Sequence, residues 1–491
     1  MRFTTFFLKP IIAALAFTIL AGVTHAQSFS LIYTFTNSPG PGNQNSSLIL
    51  DSNTLYGTTY YGGSSSNGTV FKVNTDGSGY TILKSFSARS ANYPYTNNDG
   101  AWPQGGLVLS NNILYGTTTS SGRYGGGTVF KMHVSGSGFA VLKNFLFAGG
   151  LSNSDPESPQ GDLILSGNTL YGTSHGGGTN GRGTVFKINT DGSGYSLLKQ
   201  FLATIPNTNF ASDVNPDGAS PYSGVTMNGG TLYGITPNGG SFGHGTVFML
   251  NTDGGGFTVL KNFPIPYSNG SKNQDGMSPM GSLICRDGLL YGTTISGGTN
   301  GWGTIFKISI YGDGYTVLKT FAGSPDGAIP ESALTLSGNT LYGTTMYGGT
   351  GNNGTLFKVN VDGTGYAVLK SFTPNFAGTN NEGGLNYVAT AGLTLSGATF
   401  YSTAPIGGAY GSGTVFKLDL TPQLGEVVVS NSVSRVAITN FFGQSVDIQV
   451  ATNLSGTWEV LTNLVLTNGV GQFSDSSATN FPQRFYRALA Q

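Results

Sequence analysis

The tripeptide Leu-Tyr-Gly, or a close variant, occurs seven times in the chain, with its tyrosine at Tyr56, Tyr115, Tyr171, Tyr233, Tyr291, Tyr342 and Tyr401. A repeat of this kind constrains the fold before anything else does, because each unit is one supersecondary element that cannot bury its apolar faces alone. Twelve residues after each tyrosine a Gly-Thr-(Val/Ile/Leu)-Phe segment begins, at Gly68, Gly127, Gly183, Gly245, Gly303, Gly354 and Gly413. Eight residues before each tyrosine stands an aliphatic residue that opens a third run, from Leu48 to Leu393. A fourth run of the type Tyr-Thr-Val-Leu-Lys-Ser-Phe closes at Phe86, Phe145, Phe201, Phe263, Phe321 and Phe372.

The runs are short, rich in Val, Ile, Thr, Tyr and Phe, and bounded by Gly, Asn, Asp and Ser, the signature of strands. Four strands per unit make a blade, and the predicted fold is all-β: a seven-bladed β-propeller over residues 27–420. After Gly413 the fourth run is missing, and the pattern breaks at Thr421-Pro422. Its counterpart lies at the other end, where Phe29, Ile32 and Phe35 occupy the positions of Tyr80, Leu83 and Phe86. The N-terminal strand is therefore expected to complete the last blade and close the ring. An open solenoid would instead carry capping repeats with polar outer faces.

With strands A to D labelled from the axis outwards, B to C loops and D to A connections share one end of the ring. The D to A connections are the variable part, and variable loops on a rigid scaffold are where specificity sits. Five of them end in Asp-(Gly/Pro)-x-x-Pro, with aspartates Asp99, Asp155, Asp217, Asp275 and Asp326. These are the candidate binding residues. They could ring the channel mouth and hold a divalent cation such as calcium, or sugar hydroxyls; the alternative is an Asx-turn aspartate that holds its own loop. No other cofactor is indicated. The aspartates of the C to D turns, Asp76, Asp191, Asp253 and Asp362, read as hairpin residues.

The pattern offers no catalytic set. His133, His175 and His244 occupy unrelated repeat positions, whereas zinc or Ser-His-Asp chemistry needs convergent histidines. Asp155 with Glu157, or Asp326 with Glu331, are the carboxylate pairs an extracellular hydrolase or lyase could use. The single cysteine, Cys285, reads as a small core residue and precludes an internal disulfide.

Residues 1–26 carry Arg2 and Lys9, an apolar run from Ile11 to Val23, and small residues Thr24 and Ala26, as an export signal does. Without them, 20 Lys and Arg face 22 Asp and Glu, so there is no basic field for nucleic acid. No later run is long enough to span a bilayer. From about Gly425 short alternating runs suggest a small β-sandwich over 425–491.

The recurring Leu-Tyr-Gly-Thr-Thr, Gly-Gly, Gly-Thr-Val-Phe-Lys-Val-Asn and Asp-Gly-Ser-Gly strings resemble the GloVer-type tandem repeat of choice-of-anchor extracellular bacterial proteins, over roughly 29–420. The resemblance implies export and a repeat architecture, and it carries no catalytic residues. The expected protein is a secreted or surface-associated monomer with a binding or structural role. Its expected partner is an extracellular polysaccharide or another cell-surface component, recognised through the B to C face.

Overall fold

Alternation of β-branched and aromatic residues with glycine-rich turns gives strands, and there is no helix among the described residues. The computed structural model describes residues 28–36, 47–147, 155–206, 213–266, 272–373, 391–420, 423–430, 433–441, 445–451, 457–465, 469–475 and 485–490. The expected export signal at 1–26 lies outside the described residues, as do Thr421-Pro422 and the 452–456 part of the C-terminal segment. Among the described residues no helix is long and apolar enough to cross a membrane. The chain divides into two compact units, one of Ser30–Leu395 with Tyr401–Lys417, the other containing Leu418–Gln491.

Seven antiparallel sheets form the blades of a propeller. Blade 1 is typical: strands A to D are Ile49–Asp51, Thr54–Thr59, Thr69–Asn74 and Thr81–Ser85. In strand B the repeat tyrosine pairs with a strand C lysine, as Tyr56 does with Lys72, except in blade 4, where Tyr233 pairs with Met249. Strand A is only three residues long and begins one residue after the repeat aliphatic, because Leu48 and its counterparts turn into the core. Blade 7 runs Thr394–Ser396, Thr399–Ala404, Thr414–Asp419 and then Ser28–Thr34, so its outer strand comes from the N-terminus as the sequence predicts. Phe35 N–H donates to Gly413 O at 3.1 Å, just as Phe86 N–H donates to Gly68 O.

The core lies between blades rather than within them. Tyr56, Val70 and Phe86 of blade 1 pack on Leu107, Leu114, Phe130 and Met132 of blade 2. The closing seam has the same composition: Tyr401, Val415 and Phe35 pack on Leu48, Leu55, Phe71 and Val73. At every seam the phenylalanine ending strand D meets the strand C phenylalanine of the next blade edge-on, from Phe86 on Phe130 at 5.6 Å round to Phe35 on Phe71 at 5.5 Å. Such pairs add about 1 kcal/mol each beyond burial. The glycine of Leu-Tyr-Gly is required by this packing, since a Cβ on Gly57 would lie 2.8 Å from both the Phe71 ring and Leu48.

In the C-terminal unit, Gln423–Ser430, Val433–Phe441 and Gly469–Asp475 form one three-stranded sheet. A second sheet is made of Glu459–Val465, Ser445–Ala451 and Phe485–Ala490. Phe473 of the first meets Tyr486 of the second at 5.6 Å, and the Tyr486 hydroxyl donates to buried Asp475 at 3.0 Å, so the two sheets face each other.

Candidate functional site

Each of the five repeated aspartates is engaged within its own blade. Asp99 accepts from Lys84 Nζ at 2.5 Å and from the Ser87 N–H at 3.1 Å; Asp217 does the same with Lys199 at 2.5 Å and the Leu202 N–H at 3.2 Å. Asp155 faces Lys143 at 3.4 Å, Asp275 pairs with Lys261, and Asp326 pairs with Lys319 at 2.9 Å and the Ala322 N–H at 2.9 Å. Each lysine also lies over an aromatic ring of the following blade: Lys84 over Phe139, Lys143 over Tyr195, Lys199 over Phe257, Lys261 over Tyr315 and Lys319 over Tyr366, at 3.8 to 4.6 Å. Asp, Lys and ring thus form a clamp across five seams. The connection from blade 7 to blade 1 has no such aspartate, and there Tyr33 replaces the lysine and stacks on Tyr80 at 4.0 Å. Among the described residues no three His, Cys, Asp or Glu side chains are grouped to hold a metal ion. Asp76, Asp191 and Asp362 are turn residues, each accepting from the N–H and hydroxyl two positions on. Those two bonds hold their carboxyls below the usual range. Cys285 is half-buried, and burial pushes its thiol up.

Between each repeat proline and strand A, the chain passes the ring axis, where neighbouring blades approach to backbone contact. A Cβ on Gly161 would lie 2.4 Å from Gly224 N. Gln104 Nε2 donates to the Tyr222 hydroxyl at 2.5 Å, a bond from blade 2 to blade 4 that crosses the axis. A chamber of about 40 Å³ remains, lined by Gln104, Gln160, Asp162, Tyr222, Ser223 and Glu331 among others, with room for about three waters. Burial pushes the Glu331 carboxyl up to about 7. Asp162, enclosed by the chamber walls, is also raised by burial, against the Gly106 N–H that donates to it at 2.5 Å. Beside this chamber the ring of His175 stands edge-on to Tyr222, and burial lowers its basicity. Of the two carboxylate pairs in the sequence, Asp326 belongs to a clamp and Glu331 to the chamber; Asp155 belongs to a clamp, while Glu157 lies in a two-residue bridge paired with Gly176.

The B to C face also carries two groups of large apolar side chains. The residue before each repeat proline adopts a left-handed backbone, with φ of 60° at Trp102, 55° at Ser158, 56° at Ser220, 52° at Ser278 and 57° at Ile329. Its N–H donates to the residue preceding the strand C glycine of the blade before, as Trp102 does to Asn67 O at 2.8 Å. Serine tolerates this conformation better than a bulky or β-branched residue, for which it costs about 1–3 kcal/mol. Both exceptions coincide with exposed aromatics. Around Trp102, the Tyr60 ring stacks at 5.6 Å and 15°, Tyr61 stands edge-on at 6.4 Å, and the Arg89 guanidinium lies 4.0 Å from the indole. Tyr95 and Tyr93 extend the surface to Phe147, and Tyr61, Tyr93 and Tyr95 are 43%, 64% and 44% exposed. Burial raises the Tyr60 phenol; the nearby Tyr61 and Tyr222 add to this, while a hydrogen bond with Thr119 and the Arg89 charge oppose it. Ile329 borders an apolar hollow of about 270 Å³ with Trp302 and Tyr347.

These platform and chamber residues escape a search for repeated motifs, because they stand where the repeats differ. The available signal is the position on either side of the repeat proline: Trp102 among serines before it, and Gln104, Gln160, Tyr222, Met280 and Glu331 after it.

No curated protein matches the chain. Several solved structures align with it at low similarity. An oligogalacturonate lyase in complex with manganese aligns at TM-score 0.48 and 9% identity, covering 85% of this chain and 96% of its own. A puromycin hydrolase aligns at 0.47 and 11%, covering 81% and 58%, and a GH74 enzyme of Niastella koreensis at 0.41 and 15%, covering 90% and 68%. Likeness at this level carries no argument about activity. The repeat itself is decisive: the model of the Gloeobacter/Verrucomicrobia repeat matches residues 17–214, 93–277, 205–397 and 267–458, and the chain belongs to that family.

Proposed function

We propose that the protein is a secreted or surface-associated binding propeller that holds a saccharide on the aromatic platform around Trp102. One observation carries this reading: a tryptophan occupies a strained left-handed position that three other blades give to serine, and it is stacked and presented beside three exposed tyrosines. Strain of this kind persists where the surroundings enforce it and function uses it. Flat aromatic faces offer large, rigid contact area to the apolar faces of sugar rings at small entropic cost. In this reading the five repeated aspartates act as seam clamps rather than ligands. The chamber is too small for a sugar ring, which weighs against a glycosidase site at Glu331 and Asp162.

Screening the protein against a glycan array, followed by titration of the hits, tests the reading. Trp102→Ser installs the residue of blades 3, 4 and 5, so the fold is retained. It should weaken binding about tenfold or more, equivalent to about 1.4 kcal/mol. Absence of any glycan ligand, or an unchanged affinity in Trp102→Ser, would refute it.

A further inference from the structure

The platform carries charge as well as aromatic surface. Arg89 lies 4.0 Å from the Trp102 ring and 5.5 Å from Tyr95, held between the two. In the neighbouring B to C loop of blade 2, Arg123 stands 5.6 Å from the exposed Tyr124 ring. That loop is joined to the platform: the Ser121 hydroxyl donates to Tyr95 O at 2.6 Å, and the Asn97 N–H to Gly122 O at 3.2 Å. Among the described residues neither guanidinium has a carboxylate within 4.0 Å. Asp99, the acidic residue of this connection, is taken by Lys84, the Ser87 N–H and the Ser87 hydroxyl. By contrast Arg182, in the corresponding loop of blade 3, faces Asp213 at 3.7 Å.

A guanidinium that stacks through its face keeps its in-plane N–H donors directed outward, in the fork that matches a carboxylate. In a chain with only 9% charged residues, two arginines in adjoining loops, without a carboxylate partner among the described residues, form a positive site beside the aromatic cluster. A neutral sugar would use the rings and leave these donors to water. A sugar acid would use both.

We propose that the blade 1–2 platform binds an acidic saccharide, with a hexuronate ring against the exposed Tyr61 and Tyr95 of the cluster that Trp102 organises and its carboxylate on the guanidinium of Arg89. This rests on the saccharide reading above and narrows it. Arg123 adds long-range attraction for the next acidic residue of a polymer.

The test is a calorimetric titration of the whole protein with oligomers of a hexuronic acid and with the same oligomers methyl-esterified at every carboxyl. The acid form should bind about tenfold or more tighter at low ionic strength. That preference should shrink in about 0.5 M salt, where exposed charges are screened. Arg89→Gln should abolish the preference for the acid form, and Trp102→Ser should weaken both forms. Equal or tighter binding of the ester, or a preference that survives Arg89→Gln, overturns the acidic ligand but leaves the saccharide reading standing. So does binding of neutral glycans alone. If neither the oligomers nor any neutral glycan binds, the saccharide reading itself falls.

Discussion

At the scale of single residues, identity and variation among the repeats carry different information. Asp99, Asp155, Asp217, Asp275 and Asp326 recur because each does the same structural work, pairing with a strand D lysine. The side chains that make one part of the ring unlike another, Trp102, Arg89, Tyr222 and Glu331, break the repeat rather than follow it, so no pattern reveals them; Glu331 is legible only as a carboxylate near Asp326. Glu331 has a measurable consequence. Its carboxyl is raised from 4.5 to about 7 by burial, so between those values the folded protein keeps a proton that the unfolded chain has released. The associated stability is complete below about pH 4.5, declines as pH rises, and is gone above about pH 7. Glu331→Gln should therefore be more stable than the parent above pH 7, by up to about 3 kcal/mol. Its unfolding free energy should also fall less between pH 5 and 8. Asp162, shifted in the same direction, remains, so some slope persists. Parallel denaturant curves for parent and variant across this range would contradict the assignment.

At the scale of the element, the strands were legible because the β-branched runs and glycine turns recur at fixed offsets. Two details were not. Strand A begins one residue later than the apolar run suggests, because Leu48 serves the core. The clamp was hidden because its three parts come from strand D, the following connection and the next blade, which only the ring brings together. Asp217 is 4% exposed and Lys199 sits between it and the Phe257 ring. Removing one partner strands a partly buried charge, so Asp217→Ala should cost about 2–4 kcal/mol. With Lys199→Met added, the thioether chain should still pack on Phe257, and the double variant should recover more than half of that loss. Additive losses in a double-mutant cycle would show that the seam does not depend on this pair. The same logic explains the closing seam: without an aspartate to neutralise it, a lysine at position 33 would be unpaired, and Tyr33 stacked on Tyr80 supplies the contact instead.

At the scale of the whole molecule, the repeat arithmetic made the ring legible. Three strands follow in order in every unit, and the one missing fourth strand is found at the opposite terminus. A ring fastened this way makes its first and last blades one body. It also holds the B to C loops and D to A connections in fixed relation, so that Tyr60 of blade 1 and Trp102 of the next connection can stack as one platform. The C-terminal sheets are separate from this logic; their short alternating runs suggest a small β-sandwich, and this unit holds two three-stranded sheets. The geometry of this face depends on closure, and closure depends on residues 28–35. Deleting 27–36 removes fully buried Phe35, its edge contact with Phe71 and the Tyr33–Tyr80 stack, and exposes strand C of blade 7 as an unpaired edge. The direct measurement is thermal unfolding with analytical ultracentrifugation of this deletion beside the parent protein. A lowered melting temperature together with new oligomers or aggregates is the predicted result, and unchanged melting with an unchanged sedimentation profile would contradict the closed ring.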